Sequence, residues 1–326
     1  MDNLMITEIY TKEQSDTFAQ INVSQGNERM PTDHYYAGIA VKQQGVYLAK
    51  AVLYINKGIS YKDRNVGLVG AYEAQENEEA VSQLFQTIEK QAKEQGVDFL
   101  IGPMNGSTWE NYRFHNHPEK PLFFMEMKHE PYYAKQWKSI GFEPIAHYYS
   151  AIAAVAPRRN EKIDKLKSRL LRDGVIIRGL DRDNYVADLK KLHPFLHDSF
   201  KQNFLYSPIS ESSFLEKYLP LQSVLKPEFV QIAEHEGEIV GVLLGTDDLL
   251  NRAGKTLIIK TLARSPKRLY RGLGLVLVDE FYQKAVTKEY QQIIYALMID
   301  EGDATPLSDQ YNGHLLKTYT LYGKSI

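Results

Sequence analysis

The sequence predicts an α/β (α+β) protein built from two similar halves, each a mixed, mostly antiparallel sheet flanked by helices. Two observations support this prediction. Each half contains two alternating strands around a polar turn, and the turns at Gly45 and Gly237 lie about 190 residues apart. In both halves a strand, a long helix and a further strand follow this hairpin in the same order. The 326 residues are enough for two domains of ordinary size.

The first half has one especially clear helix, Asn77–Gln95. Small and aliphatic residues recur on one face of it from Ala80 to Ala92, and Gly96 follows where a helix C-cap glycine is expected. The other elements follow from alternation and turn residues. The predicted strands are Met5–Tyr10, Tyr35–Lys42, Val46–Ile55, Asn65–Glu73, Asp98–Ile101 and Phe142–Ala154, and the other predicted helices are Gln14–Ile21 and Tyr132–Ile140.

The segment Val155–Lys165 resembles a linker and lies near the midpoint of the chain, so the predicted domains are residues 1–157 and 158–326. Asp181 or Asp183 is expected to cap a helix that runs to Phe200. The predicted strands of the second half are Val175–Arg178, Phe229–Glu234, Glu238–Leu244, Lys255–Ala263, Gln291–Met298 and Lys317–Tyr322, and the helices are one ending near Arg172, Asp183–Phe200, Ser210–Tyr218 and Gly272–Thr287.

Composition excludes several classes of function. The chain has 39 Lys and Arg against 41 Asp and Glu, a net charge of −2 that argues against a dedicated nucleic-acid partner. It has no cysteine, which excludes disulfides, iron–sulfur clusters, cysteine-ligated zinc and a thiol nucleophile. His115 and His117 lack a third ligand at a fixed spacing, so no metal is expected.

The apolar segments indicate no membrane association. The first residues have no basic stretch followed by an apolar core, and no uninterrupted apolar run approaches the roughly 18 residues of a membrane-spanning helix. A cytoplasmic protein is therefore expected.

One segment predicts chemistry, the run RSPKRLYRGLGLVL from Arg264 to Leu277. A strand leads into a turn with four basic residues, and Gly272 and Gly274 then open a helix. Glycine allows a ligand to approach the backbone, and the free amides at a helix start point toward an anion. The helix dipole and the basic side chains add positive potential. This segment is therefore predicted to bind an anion such as a pyrophosphate.

Three phosphate-binding motifs compete for this segment. A Walker A loop requires Gly-Lys-Ser/Thr, whereas Leu275 and Val276 occupy the corresponding places. A dinucleotide fingerprint requires a third glycine, whereas Leu277 is present. The third motif is the pyrophosphate loop of acyl-CoA transferases, Gln/Arg-x-x-Gly-x-Gly/Ala. The two glycines fit it, but its first position is occupied by Leu269, with Arg268 one place away. The alternative to all three motifs is a turn that binds no ligand, in which glycine allows the tight backbone and the basic residues are solvated.

The flanks of this loop favour the third motif. The order of hairpin, strand, basic turn, Gly-x-Gly helix and strand in Val175–Tyr322 resembles the core of the GNAT N-acetyltransferase superfamily. In the first half, Tyr132–Phe142 resembles the fourth helix of that fold, which ends in Gly-Phe. The whole chain resembles bacterial tandem GNAT proteins of undefined substrate. Its segments Gly102–Ser107 and Leu316–Tyr322 are further points of resemblance to these proteins.

The resemblance implies direct transfer of an acetyl group from acetyl-CoA to a small amine or a peptide amino group, without a covalent intermediate. The pantetheine would pair with the strand at residues 257–263, and backbone amides of Tyr270–Leu275 would hold the pyrophosphate. The residues predicted to bind the cofactor are Leu262, Ala263, Arg264, Arg268, Tyr270, Arg271, Gly272, Leu273, Gly274 and Leu275.

The catalytic acid and base are less well defined. The superfamily often places Glu on the fourth strand, whereas the second half has Thr261 there and only the first half has an acid, Glu73. Asp248 ends the preceding strand and is a candidate base, although a turn-forming role is the simpler interpretation. Tyr319 lies on the final strand, where a phenol would reach the leaving sulfur, with core packing as its alternative role.

The first half has no Gly-x-Gly turn and no basic residue between Glu73 and Asn77. We therefore expect a degenerate cofactor site in residues 1–157 and a functional one in residues 158–326. Two alternatives to an N-acetyltransferase remain. One is a non-catalytic acyl-CoA-binding or regulatory module, and the other is a tandem GNAT-like aminoacyl transferase. The balanced charge argues against the tRNA surface that the latter requires. Oligomeric state is not predicted.

Overall fold

A computed structural model describes residues 5–24, 30–251, 254–300 and 307–326. The described chain divides into two compact units. Unit 1 contains residues up to 148 together with 204–207 and 318–326, and unit 2 contains 149–203 and 208–317. Within the described ranges, no helix combines the length and apolarity that crossing a membrane would require.

Unit 1 is built on a mixed sheet in which the hairpin strands are antiparallel. Strand order is β1-β2-β3-β5-β6-β14, followed by the first part of β8. Two short strands, β4 and β7, pair with β5 and β14. The strands are β1 Met5–Tyr10, β2 Tyr35–Gln43, β3 Val46–Tyr54, β4 Ser60–Tyr61, β5 Arg64–Ala74, β6 Phe99–Gly102, β7 Phe114–His115, β8 Glu143–Ala154 and β14 His314–Ser325.

The α-helices of the described part of unit 1 are α1 Ser15–Ala19, α2 Glu78–Glu94 and α3 Tyr133–Ser139. Helix α2 begins at the predicted place because the Asn77 side chain accepts a hydrogen bond from the amide of Ala80, 2.9 Å away. Gly96 adopts the left-handed conformation (φ +72°) just beyond its end. The apolar face of α2 and Trp137 of α3 are buried in one core with the sheet.

Unit 2 repeats this architecture with strand order β8-β13-β12-β11-β10-β9, in which β8 contributes its second part. Strands β12 and β13 are parallel, and the pairs β9–β10, β10–β11 and β11–β12 are antiparallel. Its remaining elements are β9 Ile176–Gly179, β10 Val230–His235, β11 Glu238–Asp247, β12 Thr256–Arg264, β13 Gln292–Ile299, α4 Glu161–Arg172, α5 Tyr185–Phe200, α6 Glu211–Tyr218 and α7 Leu273–Thr287.

The repeated order confirms the predicted fold class. In each unit a hairpin leads to a third antiparallel strand, and a long helix then returns the chain to a parallel neighbour of that strand. Each unit has its own apolar core, because each sheet buries one face against its helices. Helices α2 and α7 are equivalent in this order, as are strands β5 and β12.

The units do not follow the predicted halves at the ends of the chain. Residues 318–326 of the final strand belong to unit 1, where Tyr322–Ser325 pair with Phe99–Gly102. The long strand β8 is shared, because its residues from 149 onward belong to unit 2. The predicted boundary between residues 157 and 158 falls a few residues beyond this strand. Local patterns could not show this exchange, because strand pairing depends on residues distant in sequence.

Candidate functional site

The parallel strands of unit 2 separate partway along their length. Pairing runs from Thr256 opposite Gln292 to Ile259 opposite Tyr295 and then ends. Strand β12 nevertheless continues to Arg264 and β13 to Ile299. Within the described ranges the pairing of β12 with β13 does not continue past Ile259, so the peptide groups of Thr261–Arg264 on this edge offer a template for another extended chain.

Local geometry on β13 contributes to this separation. Leu297 has a positive φ of +58°, a conformation that bends the strand. Its amide donates a 2.9 Å hydrogen bond to Oγ of Ser150 on β8. The end of β13 is therefore held on its other side, away from β12.

The start of helix α7 lies just beyond the end of β12. Gly272 is the N-cap residue in the left-handed conformation (φ +89°), and no side chain caps the helix. The first bond into it is from the amide of Val276 to the carbonyl of Gly272. Within the described ranges, the amides of Gly272–Leu275 have no acceptor. Four free amides at a helix N-terminus favour a bound anion.

The turn before this helix uses two of the amides that the sequence assigned to the pyrophosphate. Residues Arg268–Tyr270 form a 3-10 turn in which the amide of Tyr270 bonds to Lys267 and that of Arg271 bonds to Arg268. The prediction that the whole run Tyr270–Leu275 presents free amides was therefore wrong for these two residues. The Tyr270 ring is buried instead, and its hydroxyl lies 3.0 Å from Nδ1 of His235.

The basic side chains of the turn remain available. Arg264, Lys267, Arg268 and Arg271 are all exposed, and none has a carboxylate partner within the part of the chain that the structure describes. Arg264 donates to a backbone carbonyl, that of Ser265, at 2.9 Å. Unpaired cations beside free helix amides create a positive potential at this point.

The structure thus places all ten residues predicted to bind the cofactor at one end of the unit 2 sheet. Their contributions differ, since Ala263 and Leu273 are buried in the core and Leu262 and Leu275 are half-buried. These apolar residues can offer only backbone groups or packing to a ligand. The arginines supply charge, and the glycines supply close access.

Tyr319, the first predicted catalytic residue, belongs to unit 1. It lies on β14 opposite His115 of β7, and only 2% of its surface is exposed. Its hydroxyl donates a 2.6 Å hydrogen bond to Oε1 of Glu126. The phenol therefore already has an acceptor within its own unit, and its catalytic role stays a prediction.

Asp248, the second predicted catalytic residue, belongs to unit 2 but lies far from the glycine loop. Its amide bonds to Thr256, at the opposite end of β12 from Arg264. Thr256 and Arg264 are eight residue steps apart along the strand, or about 25 Å. Its buried carboxylate accepts from the amide of Leu250, which is a turn-forming role. This placement does not favour Asp248 as a base for chemistry near the glycine loop.

Unit 1 has the same separation of parallel strands, but its own residues fill the opening. Pairing of β5 with β6 ends at Leu68 opposite Ile101. The loop after β6 then takes the place of a ligand, because the amide of Met104 bonds to the carbonyl of Val69 at 2.8 Å. The side-chain oxygen of Asn105 accepts from the amide of Ala71 at 2.7 Å.

Helix α3 occupies the rest of this edge. The hydroxyl of Tyr133 accepts from the amide of Ala74 at 3.1 Å, and that of Tyr132 donates to the carbonyl of Ala74 at 3.0 Å. Gln136 donates to the carbonyl of Gln75 at 2.7 Å. Sequence reasoning missed these roles because their partners are backbone atoms, which leave no residue pattern.

The helix that follows in unit 1 is also unsuited to an anion. Asn77 caps α2, and Glu78 and Glu79 lie in its first turn. Acidic residues there oppose an anion where α7 attracts one. Glu73, the acid on the strand, is held in an ion pair with Lys50 at 3.0 Å, with both side chains largely buried. These contacts indicate that Glu73 is structural.

The two histidines considered for a metal have other partners. The amide of His115 donates to His129, and His117 contacts Glu119 and Thr318. Within the described ranges, no group of three His, Cys, Asp or Glu residues is arranged to hold a metal ion.

Comparison with known proteins identifies the fold. A GCN5-related N-acetyltransferase from Sphaerobacter thermophilus superposes with a TM-score of 0.54 at 13% identity, covering 98% of this chain and 95% of the other. A tandem GNAT protein from the clavulanic acid biosynthesis pathway gives 0.53 at 10% identity, covering 99% and 98%. A probable N-acyltransferase from Enterococcus faecalis gives 0.58 at 12% identity, covering 99% and 73%. The chain has the tandem GNAT fold that its sequence resembles.

Sequence comparison adds one curated relative. A bacterial ceramide synthase of Caulobacter vibrioides is 24% identical over 184 residues, which are 55% of this chain and 47% of that protein. The match thus spans about half the length of the relative. No family model matches the chain.

Proposed function

We propose that this protein is an acyl-CoA-dependent N-acyltransferase that binds its acyl-CoA in unit 2. The observation that supports this best is the meeting of the open edge of β12 with the uncapped N-terminus of α7. An acyl-CoA carries amides in its pantetheine arm and a pyrophosphate beyond them. The strand edge offers hydrogen bonds to the amides, and the helix start offers them to the pyrophosphate.

The chain's own groups have separate tasks in this proposal. Backbone amides of Gly272–Leu275 bind the pyrophosphate, and Arg264, Arg268 and Arg271 supply neutralising charge. Gly274 leaves room for the anion, because a Cβ built there would have no neighbour closer than Leu262 at 3.7 Å. The peptide groups of Thr261–Arg264 align the pantetheine toward the open region between the strands.

The proposed reaction is direct transfer. The amine nitrogen attacks the thioester carbonyl, the carbon–sulfur bond breaks, and the thiolate of CoA takes a proton. An amine near neutral pH must lose a proton before it attacks. The chain has no cysteine, so an acyl-cysteine intermediate is impossible. The contacts of Asp248 and Tyr319 within their own units are turn-forming and structural. A water molecule or the substrate itself is therefore the simplest base for the proton of the amine.

Unit 1 is proposed to have lost its cofactor site. Along the edge of β5 that would correspond to a pantetheine site, Val69, Ala71 and Ala74 are bonded to Met104, Asn105 and helix α3. An acyl-CoA would have to displace these contacts and then meet acidic residues at the start of α2. The role proposed for this unit is therefore structural or acceptor-binding.

Acetyl-CoA is the proposed donor, and a small amine or peptide amino group is the proposed acceptor. The curated relative is named a ceramide synthase, and ceramides are amides of long-chain acids. A long-chain acyl-CoA therefore forms a second arm of the assay beside acetyl-CoA. The donor that gives the higher kcat/KM identifies the acyl chain length that the protein prefers.

Binding is tested by calorimetry with acetyl-CoA on Gly274→Val and Glu79→Val. Glu79 is the matched control, because it is the second residue of α2 as Gly274 is of α7, and it is exposed. We expect Gly274→Val to weaken binding at least about tenfold and Glu79→Val to bind as the wild type does. Loss of binding only in Glu79→Val would contradict the assignment to unit 2.

Turnover is measured with a thiol reagent across a panel of amines. Since the protein contains no cysteine, all thiol signal comes from released CoA. Binding without amine-dependent release would contradict the enzyme and favour the non-catalytic acyl-CoA module. Absence of binding to both acyl-CoA donors would contradict both functions.

A further inference from the structure

Arg113 of unit 1 is buried, and two nitrogen atoms of its guanidinium have no hydrogen-bond partner. Only 4% of its surface is exposed, and its Nε and Nη1 atoms are buried with no hydrogen-bond partner. Within the described ranges it forms no ion pair with an acidic side chain. Arginine stays protonated in proteins, so this positive charge is present in the interior.

Two aromatic rings lie close to the guanidinium of Arg113. Its Cζ lies 4.0 Å from the centre of the Tyr112 ring and 4.2 Å from that of Tyr148. The two ring centres are only 5.7 Å apart, with planes inclined at 84°. The rings therefore form a corner around the charge, whereas a sandwich would place them on opposite faces. A third ring, that of Tyr319, lies farther away at 5.9 Å.

The contacts with these rings do not replace an anion. A cation–π contact is weaker than the hydration that a buried guanidinium loses, and the Nε and Nη1 groups still have no hydrogen-bond partner, although the Tyr148 hydroxyl is hydrogen-bonded to the guanidinium. The carboxylate of Glu126 accepts from Tyr319 through Oε1 and from the amide of Phe123 through Oε2, and within the described ranges it does not bond to Nε or Nη1 of Arg113. Burial raises the pKa of the Tyr148 phenol, so this neighbour is neutral and supplies no negative charge.

The backbone holds Arg113 in this position. Its φ is +71°, in the left-handed region that a residue with a side chain seldom adopts. Its amide donates to the carbonyl of Pro103 at 2.9 Å, and Phe114, the next residue, pairs with Thr320 in β7 and β14. The side chain is thus presented from a fixed main chain, as in a ligand-binding arginine.

We propose that Arg113 anchors a second ligand site in unit 1, which binds a small molecule through a carboxylate or phosphate group. Arginine N–H groups form strong charge-assisted hydrogen bonds with both anions. The tyrosine corner shields the charge from water and gives the ligand an aromatic wall. All of these residues belong to unit 1, whereas the residues of the proposed acyl-CoA site belong to unit 2.

The test follows the Nε–H signal of Arg113 by NMR in the full-length ¹⁵N-labelled chain, with assignment by its absence in Arg113→Lys. Sodium acetate and sodium phosphate are titrated separately against sodium chloride at equal ionic strength. We expect a saturable shift with acetate or with phosphate and none with chloride, and the anion that acts identifies the chemistry. Arg64 is the internal control, because it already bonds to Asp98 at 3.1 Å and should not respond.

No shift with either anion, or an equal shift with chloride, would overturn the proposal. Thermal melting of Arg113→Met is the second measurement. In chloride we expect its Tm to equal or exceed that of the wild type, because an unpaired buried charge has been removed. The active anion should raise the Tm of the wild type alone. A lower Tm of Arg113→Met in chloride would show that the protein itself compensates the charge, which also overturns the proposal.

Discussion

Gly274 lies next to the end of β12, so that a Cβ built on it would stand 3.7 Å from Cδ2 of Leu262, an ordinary contact distance. Gly272, two residues earlier, differs in both respects. Its φ is +89°, and a Cβ there would lie 3.0 Å from both terminal methyls of Leu166. Glycine at position 272 is therefore required by the backbone conformation and by a close neighbour, whereas neither reason applies at position 274.

Alanine at these two positions is expected to change stability in opposite directions. Gly274→Ala should raise the free energy of unfolding by about 0.5–1 kcal/mol, because the position is helical and alanine restricts the unfolded chain. Gly272→Ala should lower it by about 1–2 kcal/mol, because alanine is strained in the left-handed region. Urea unfolding of both variants measures this difference. A stabilised Gly272→Ala would contradict the left-handed N-cap.

The contacts that fill unit 1 lead to a second prediction, for Tyr133→Phe. The amide of Ala74 is fully buried and donates to the Tyr133 hydroxyl, so its acceptor is lost in this variant. Leaving a buried donor unpaired should cost about 1–3 kcal/mol in the free energy of unfolding. Acetyl-CoA affinity should not change, because unit 1 is not the proposed cofactor site.

Tyr36→Phe is the control for this variant, because its hydroxyl accepts from Gln95 in an exposed pair. It should change the free energy of unfolding by no more than about 0.5 kcal/mol. Denaturant unfolding and calorimetry are performed on both variants. Altered CoA affinity in Tyr133→Phe would place a ligand near α3 and contradict the proposed division of roles.

Much of the fold could be predicted because its signals are local. The helix capped by Asn77 and the hairpin turn at Gly237 have short-range patterns of residue type, and both formed where expected. The exchange of residues 318–326 could not be predicted, because β6 and β14 pair across more than half the chain.

The candidate site was also predictable only where its signals are local. Basic and glycine residues marked the loop from Arg264 to Gly274. Its unpaired strand edge depends on where pairing with β13 stops, at Ile259, and no residue type specifies that point. Arg113 was missed for a related reason, since a lone arginine in a loop has no pattern until its burial is known.

Glu234 provides a pH-dependent prediction. It bonds to Arg178 at 2.8 Å, and this hydrogen bond lowers the pKa of the carboxyl. A carboxyl whose pKa is lower in the folded state contributes stability above its unfolded pKa of about 4.3, and this contribution is lost as the pH falls through the folded value. Glu234→Gln should therefore cost about 1–3 kcal/mol at pH 7 and much less at pH 3.

The control for Glu234→Gln is Glu238→Gln. Glu238 is exposed on the neighbouring strand β11 and forms no ion pair within the described ranges. Unfolding free energies of the three proteins are compared from pH 3 to pH 7. An equal cost for Glu234→Gln at both ends of this range would show that the carboxylate charge does not stabilise unit 2.

The exposed arginines of the glycine loop lead to a prediction about salt. Arg268 is solvated, so its attraction for a bound pyrophosphate is screened by added ions. Arg268→Gln should weaken acetyl-CoA binding about two- to fivefold at low salt and should reduce the salt dependence of binding. Calorimetric titrations at several sodium chloride concentrations measure both effects.

Arg182→Gln is the control, because Arg182 is exposed elsewhere in unit 2 and bonds to the carbonyl of Leu225. Equal weakening by both variants would mean that net charge acts on the ligand, whereas an effect of Arg268 alone places the pyrophosphate beside the turn.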